Sequence, residues 1–129
     1  MKLIRFDSTN SRYHQTGTAT IYLSATQCSS IPKITQKEMG LKPGDGISLF
    51  QDEENPNDWY LCKDKSGFPL RLRKCGALVF SSTYAVNKLF DSIDYRLKHF
   101  RFPVSKKGIK HGDMTLFAII TSAAQKSDT

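Results

Sequence analysis

Two groups of cations, each with aromatic residues close by, carry most of the chemistry this chain can offer. Lys63, Lys65, Arg71, Arg73 and Lys74 fall in one short stretch, just after Trp59 and Tyr60. Arg96, Lys98, Arg101, Lys106, Lys107 and Lys110 form the second group, with Tyr95, Phe100 and Phe102 interleaved. Cations at this density can follow the phosphates of a nucleic acid and release its condensed counterions, and aromatic faces give unpaired bases a surface to stack on. The plainer account of the same residues is a solvated strand face for the cations and a core for the rings.

Catalytic groupings are absent by comparison. Asp52, Glu53 and Glu54 are consecutive, in a stretch with Pro56 that reads as a loop. Such a cluster makes a solvated acidic tip, whereas acid–base catalysis needs carboxylates held in different environments across a cleft. No GxSxG elbow, HExxH, P-loop or GxGxxG occurs. Cys28, Cys62 and Cys75 are odd in number and lack a CxxC pair, and His14, His99 and His111 are far apart. Neither a disulfide framework nor a zinc site follows from that spacing. The expectation is a protein that is not an enzyme and has no cofactor or metal.

The charge is unevenly divided. Residues 1–62 hold six Lys/Arg against seven Asp/Glu, a net −1, whereas residues 63–129 hold thirteen against five, a net +8. The basic character therefore belongs to the second half, and an anionic partner, nucleic acid first, is the expectation it raises. With 39% apolar and 24% charged residues, the composition is that of a globular protein. At 129 residues, the chain is the size of one domain with its own core. The most apolar run, MTLFAIITSAA, is far below the roughly 20 residues that span a bilayer. Arg5 and Asp7 interrupt any apolar signal segment in MKLIRFDSTN, so a soluble, cytoplasmic protein without a membrane partner is expected.

Hydrophobic periodicity supplies the scaffold. TATIYLS at 18–24 alternates, with Ile21 and Leu23 on one side and Thr20 and Tyr22 on the other, which predicts a strand within an N-terminal strand-and-loop region, 1–30. A short helix follows, ended by Gly40 and Pro43. GISLFQ at 46–51, WYLCK at 59–63, FPLRLRK at 68–74 and the short run ALVF predict four strands of an antiparallel meander. In the third, Phe68, Leu70 and Leu72 should face the core, and Arg71 and Arg73 the opposite side. From Ser81, a candidate N-cap, the residues Val86, Leu89, Phe90, Ile93 and, one turn on, Leu97 recur at helical spacing, giving an amphipathic helix over about 82–94. Extended segments over 95–122 end in the strand MTLFAIIT, and a frayed tail is expected at 123–129. The sum is a single α+β domain, an antiparallel sheet backed by one helix.

One stretch carries a family likeness. In IPKITQKEMGLKPGD at 31–45, the spacing of Ile31, Pro32, Lys33, Gly40, Leu41, Lys42, Pro43, Gly44 and Asp45 resembles the helix-turn core of the SpoVT/AbrB family of swapped-hairpin DNA-binding proteins. The resemblance covers about fifteen residues, and ATQCSS stands where that family runs a strand directly into the Pro-Lys step. It implies an interlocked dimer with Lys33 and Lys42 as DNA contacts. A Gly C-cap followed by a Pro-Gly turn explains the same residues without DNA. Four strands followed by a helix are also similar, in element order only, to PC4-like and Whirly-type modules that hold single strands on a sheet.

The expectation is a non-enzymatic nucleic-acid-binding homodimer, with DNA favoured over RNA. It would grip phosphates on a basic sheet face, in a role such as transcription regulation or the handling of phage or plasmid DNA. The alternative is a protein-interaction or oligomerisation module in which WYLCK and MTLFAIIT form the contact.

Overall fold

The computed structural model describes residue 3 and residues 19–122. The chain is α+β, with helices α1 (Lys33–Met39) and α2 (Thr83–Ser92) among two antiparallel sheets. The strands are β1 (Thr20–Ser24), β2 (Ser29–Ile31), β3 (Gly46–Gln51), β4 (Trp59–Lys63), β5 (Phe68–Pro69), β6 (Arg71–Leu72), β7 (Leu78–Phe80), β8 (His99–Pro103), β9 (Ile109–His111) and β10 (Met114–Ile119). The first sheet is ordered β6-β7-β2-β1-β8 and the second β5-β3-β4-β10-β9. The tail at 123–129 and most of the N-terminal stretch, with His14, lie outside the described residues.

The two sheets are joined on both sides. Phe68–Pro69 pairs with β3, and two residues later Arg71–Leu72 pairs with β7, so Leu70 is the crossing point. Its backbone stays bonded there: Leu70 donates to the Asp45 carbonyl at 2.9 Å and accepts from the Gly44 N–H at 3.0 Å. At the other end, Val104 just after β8 bridges Ile119 of β10. Hydrogen bonding thus passes from one sheet to the other at two places, and one apolar cluster fills the space between them.

Alternation along each strand builds that cluster. Ile21, Leu23, Ile31, Leu78, Phe80 and Phe102 of the first sheet meet Ile47, Leu61, Phe117 and Ile119 of the second. Helix α2 adds Val86, Leu89 and Phe90, its buried stripe, with the Phe90 ring 5.9 Å from Phe102 and 5.5 Å from Tyr95. Burying side chains of this size contributes about 1.5–3 kcal/mol each, so the helix is held by packing more than by its own propensity.

Helix α1 does a local job. Strand β2 is only three residues long, and Thr20 of β1 is served instead by the helix: its N–H donates to Thr35 Oγ1 at 2.9 Å, and the Thr35 hydroxyl donates to its carbonyl. Gly40 ends α1 in the left-handed region at φ 68°, and the Leu41 N–H reaches back to the Gln36 carbonyl at 2.9 Å, while Leu41 itself is buried. That is a helix-stopping motif with its usual apolar contact. Gly44, at φ 91°, completes the Pro-Gly turn into β3, where Asp45 Oδ2 accepts from the Lys42 N–H at 2.8 Å.

Several details depart from the sequence reading. The third strand of the expected meander returns to β3 rather than to β4, and the fourth pairs in the first sheet, because the chain changes sheets at Leu70. Leu72 is 59% exposed for the same reason: beyond the crossing it lies on the outer strand, clear of the core that Leu70 enters. Ser82, not Ser81, occupies the N-cap of α2, with its Oγ buried and unpaired. The helix ends before Asp94, which takes a positive φ of 55°, leaving Leu97 exposed beyond it.

Candidate nucleic-acid interface

Register brings residues far apart in the chain into one line. On the outer face of the first sheet, Arg71 is opposite Val79, Val79 opposite Ser30, Ser30 opposite Tyr22, and Tyr22 opposite Arg101. Directly paired residues share a face, so these five side chains form a row across all five strands. At about 4.8 Å per strand, Arg71 and Arg101 stand roughly 19 Å apart at the backbone. The inward partners on the same strands, Ile21, Leu23, Leu78, Phe80 and Phe102, are in the core.

The row is cationic at both ends, with its one aromatic ring, Tyr22, next to Arg101. Arg101 is exposed; its guanidinium lies over the Tyr22 ring at 5.8 Å and donates to Thr20 Oγ1 at 3.3 Å. The exposed His99 ring is 6.2 Å from Tyr22, tilted by 41°. At the opposite end, Arg71 Nη2 donates to Cys28 Sγ at 3.6 Å, and Cys28 is 3.5 Å from Ser81 Oγ. The Ser81 hydrogen bond and the charges of Arg71 and Arg73 hold the Cys28 thiol below its ordinary pKa, against a partial desolvation. No carboxylate occupies the row.

Of the residues singled out from the sequence, Arg71 and Arg101 lie in this row. Arg73 and Lys74 are exposed on the turn between β6 and β7, close enough for Arg73 to act on Cys28. Arg96 and Lys98 are exposed ahead of β8. Lys106 and Lys107 are exposed on the turn after β8, and Lys110 lies in β9, the edge of the second sheet. Lys65 is exposed in the turn after β4. Lys33 opens α1, and its stem fills the space where a Cβ on Gly76 would sit; Lys42 is exposed in the Pro-Gly turn.

Three residues have other duties or other surroundings. Trp59 is a correction to the sequence reading: only 5% exposed, it packs in the core and donates from Nε1 to Ser92 Oγ at 2.8 Å, so its face is closed to bases. Lys63 reaches back to α1, with Nζ 3.3 Å from the Gly40 carbonyl and 3.5 Å from Asp45 Oδ2. Tyr60 faces outward on the second sheet, opposite Phe50 and Ala118. There it lines a groove of about 500 Å³ with Phe50, Ile109, Met114 and Leu116, rimmed by Asp52, Glu53 and His111.

Sequence reading missed Tyr22 and His99 as interface residues. The signal for Tyr22 was present in the alternation of TATIYLS, which puts it on the side away from Ile21 and Leu23. What it lacked was the pairing of β1 with β8. Among the described residues, no helix is long and apolar enough to cross a membrane. Comparison with protein-family models, curated proteins and solved structures finds no match to this chain.

Proposed function

We propose that this chain is a non-enzymatic nucleic-acid-binding protein that holds phosphates on the outer face of its first sheet. The observation that carries the reading is the row from Arg71 to Arg101, two guanidiniums on either side of an aromatic ring with no acidic side chain between them. Guanidinium groups bind phosphate oxygens in a fixed fork, and the field of two such groups on one face is attractive to a polyanion along its length. The surplus of cations in residues 63–129 adds a long-range component. DNA rather than RNA, a cytoplasmic setting, and a role in transcription regulation or DNA handling complete the reading.

Retardation of random-sequence DNA, single- and double-stranded, over a series of salt concentrations tests it. Binding should weaken steeply as salt rises, and the double variant Arg71→Ala, Arg101→Ala should lower the slope of log affinity against log salt by about 1.4 for single strands and 1.8 for duplex. Absence of retardation for both forms at about 50 mM salt would sink the reading.

A second reading, a protein-interaction module, is favoured by one feature. The groove over β4 and β10 is apolar, and Ile109 beside it is 53% exposed on an edge strand. A second copy pairing along β9 would cover both and give a homodimer. A salt-insensitive dimer that is lost on Ile109→Lys, with no retardation of nucleic acid, would favour this reading over the first.

A further inference from the structure

We infer that the nucleic acid taken by the first sheet is single-stranded, with one base stacked on Tyr22 beside His99 and phosphates held by Arg71 and Arg101. This inference rests on the nucleic-acid reading above and names the form of its ligand.

The geometry of the row is what selects the form. A duplex hides its base faces, and reading its edges requires a helix or a two-stranded ribbon that enters a groove. The middle of this row is made of short side chains at strand height, Ser30 and the buried Val79, so nothing there projects into a groove. Within this row, a duplex would find phosphate contacts at the two guanidiniums and no face for its bases. A single strand meets more of the surface, because its bases are free to turn toward the protein while the phosphates follow the cations.

Tyr22 is placed to use that freedom. Its ring is partly exposed, flanked by the His99 ring at 6.2 Å and by the Arg101 guanidinium at 5.8 Å. Aromatic rings and guanidinium planes both offer a flat surface to a base, and here three such groups adjoin on neighbouring strands. Tyr22 is also held in position from beneath: Ile21 and Leu23, on either side of it in β1, are fully buried. A ring anchored this way loses little freedom when a base arrives.

The test compares a labelled oligothymidine of about 15 nucleotides, within the 4–16-nucleotide sites typical of sheet-based binders, with its blunt duplex by fluorescence anisotropy. The single strand should bind more tightly. Tyr22→Ala should weaken single-strand binding by roughly fivefold to a hundredfold and leave the weaker duplex binding within twofold. Tyr22→Phe, which keeps the ring, should bind as the parent does, and circular dichroism of both variants verifies their fold. Equal or tighter duplex binding would overturn this inference while leaving the nucleic-acid reading in place. So would a Tyr22→Ala protein that binds the single strand normally, or a Tyr22→Phe protein as weak as the Ala variant. Loss of all binding in the parent protein would overturn both.

Discussion

The two sheets share a core but differ in what they turn outward. Across the first, the outer row is Arg71, Val79, Ser30, Tyr22 and Arg101; across the second, it is Phe50, Tyr60 and Ala118, with Leu116 and Ile109 one step on. Both rows obey the same alternation, so the difference lies entirely in the side chains at the outward positions. The first suits a polyanion, and the second suits an apolar surface. Position in sequence did not decide which sheet became basic. Arg71 and Arg101 come from different basic clusters, whereas the closely spaced Lys106, Lys107 and Lys110 are spread over a turn and an edge strand.

The thiols give the largest contrast between these faces. Cys28, beside Arg71 and Ser81, has a lowered pKa; Cys62, only 1% exposed between Ser48 and Leu116 on the second sheet, has a raised one, pushed up by desolvation. The thiolate is the reactive form, so a lowered pKa moves the onset of reactivity to lower pH and a raised one moves it higher. With iodoacetamide at pH 7, Cys28 should alkylate roughly tenfold faster than Cys62 or more, followed residue by residue with mass spectrometry. Added oligonucleotide should slow Cys28 and leave the exposed Cys75 unchanged. Protection of Cys75 instead would move the interface off the row and break the comparison.

A smaller effect separates core aromatics from surface ones. Trp59→Phe removes the hydrogen bond to Ser92 while keeping most of the packing. Stability should fall by about 1 kcal/mol in a urea titration, with nucleic-acid affinity unaltered. A change in affinity without a change in stability would return Trp59 to the binding surface.

The same residues show where sequence is a sufficient guide. The strands 46–51 and 59–63 and the helix around 83–92 are legible because each is a local pattern, alternation or a period near 3.6, bounded by turn residues. The position of Arg71 opposite the core-facing Leu70 follows from alternation as well. The row does not, since it depends on pairings between segments up to about eighty residues apart, Tyr22 with Arg101 being the most distant pair in it. Trp59 was misplaced for a related reason. A polar loop runs directly into it, and although alternation puts it on the same face as the buried Leu61, only the approach of Ser92 from α2 shows that the indole N–H has a buried partner.

The smallest expected effect bears on the stretch 31–45. Lys33 and Lys42 are exposed, but neither belongs to the row; Lys33 lies against the turn at Gly76, and Lys42 starts the Pro-Gly turn into β3. The conspicuous glycines there serve the backbone, Gly40 as a left-handed helix stop and Gly44 within the turn. The double variant Lys33→Ala, Lys42→Ala should therefore keep its affinity for DNA within about twofold and its stability within about 0.5 kcal/mol. Removing one cation from a duplex phosphate lowers the salt slope by about 0.9, so a drop near 1.8 would be unmistakable. Such a drop, with the Arg71 and Arg101 variants unaffected, would transfer DNA binding to the residues that resemble the swapped-hairpin family. It would also erase the functional distinction between the two sheet faces, because both would then be scaffolding for a site built from the two ends of α1.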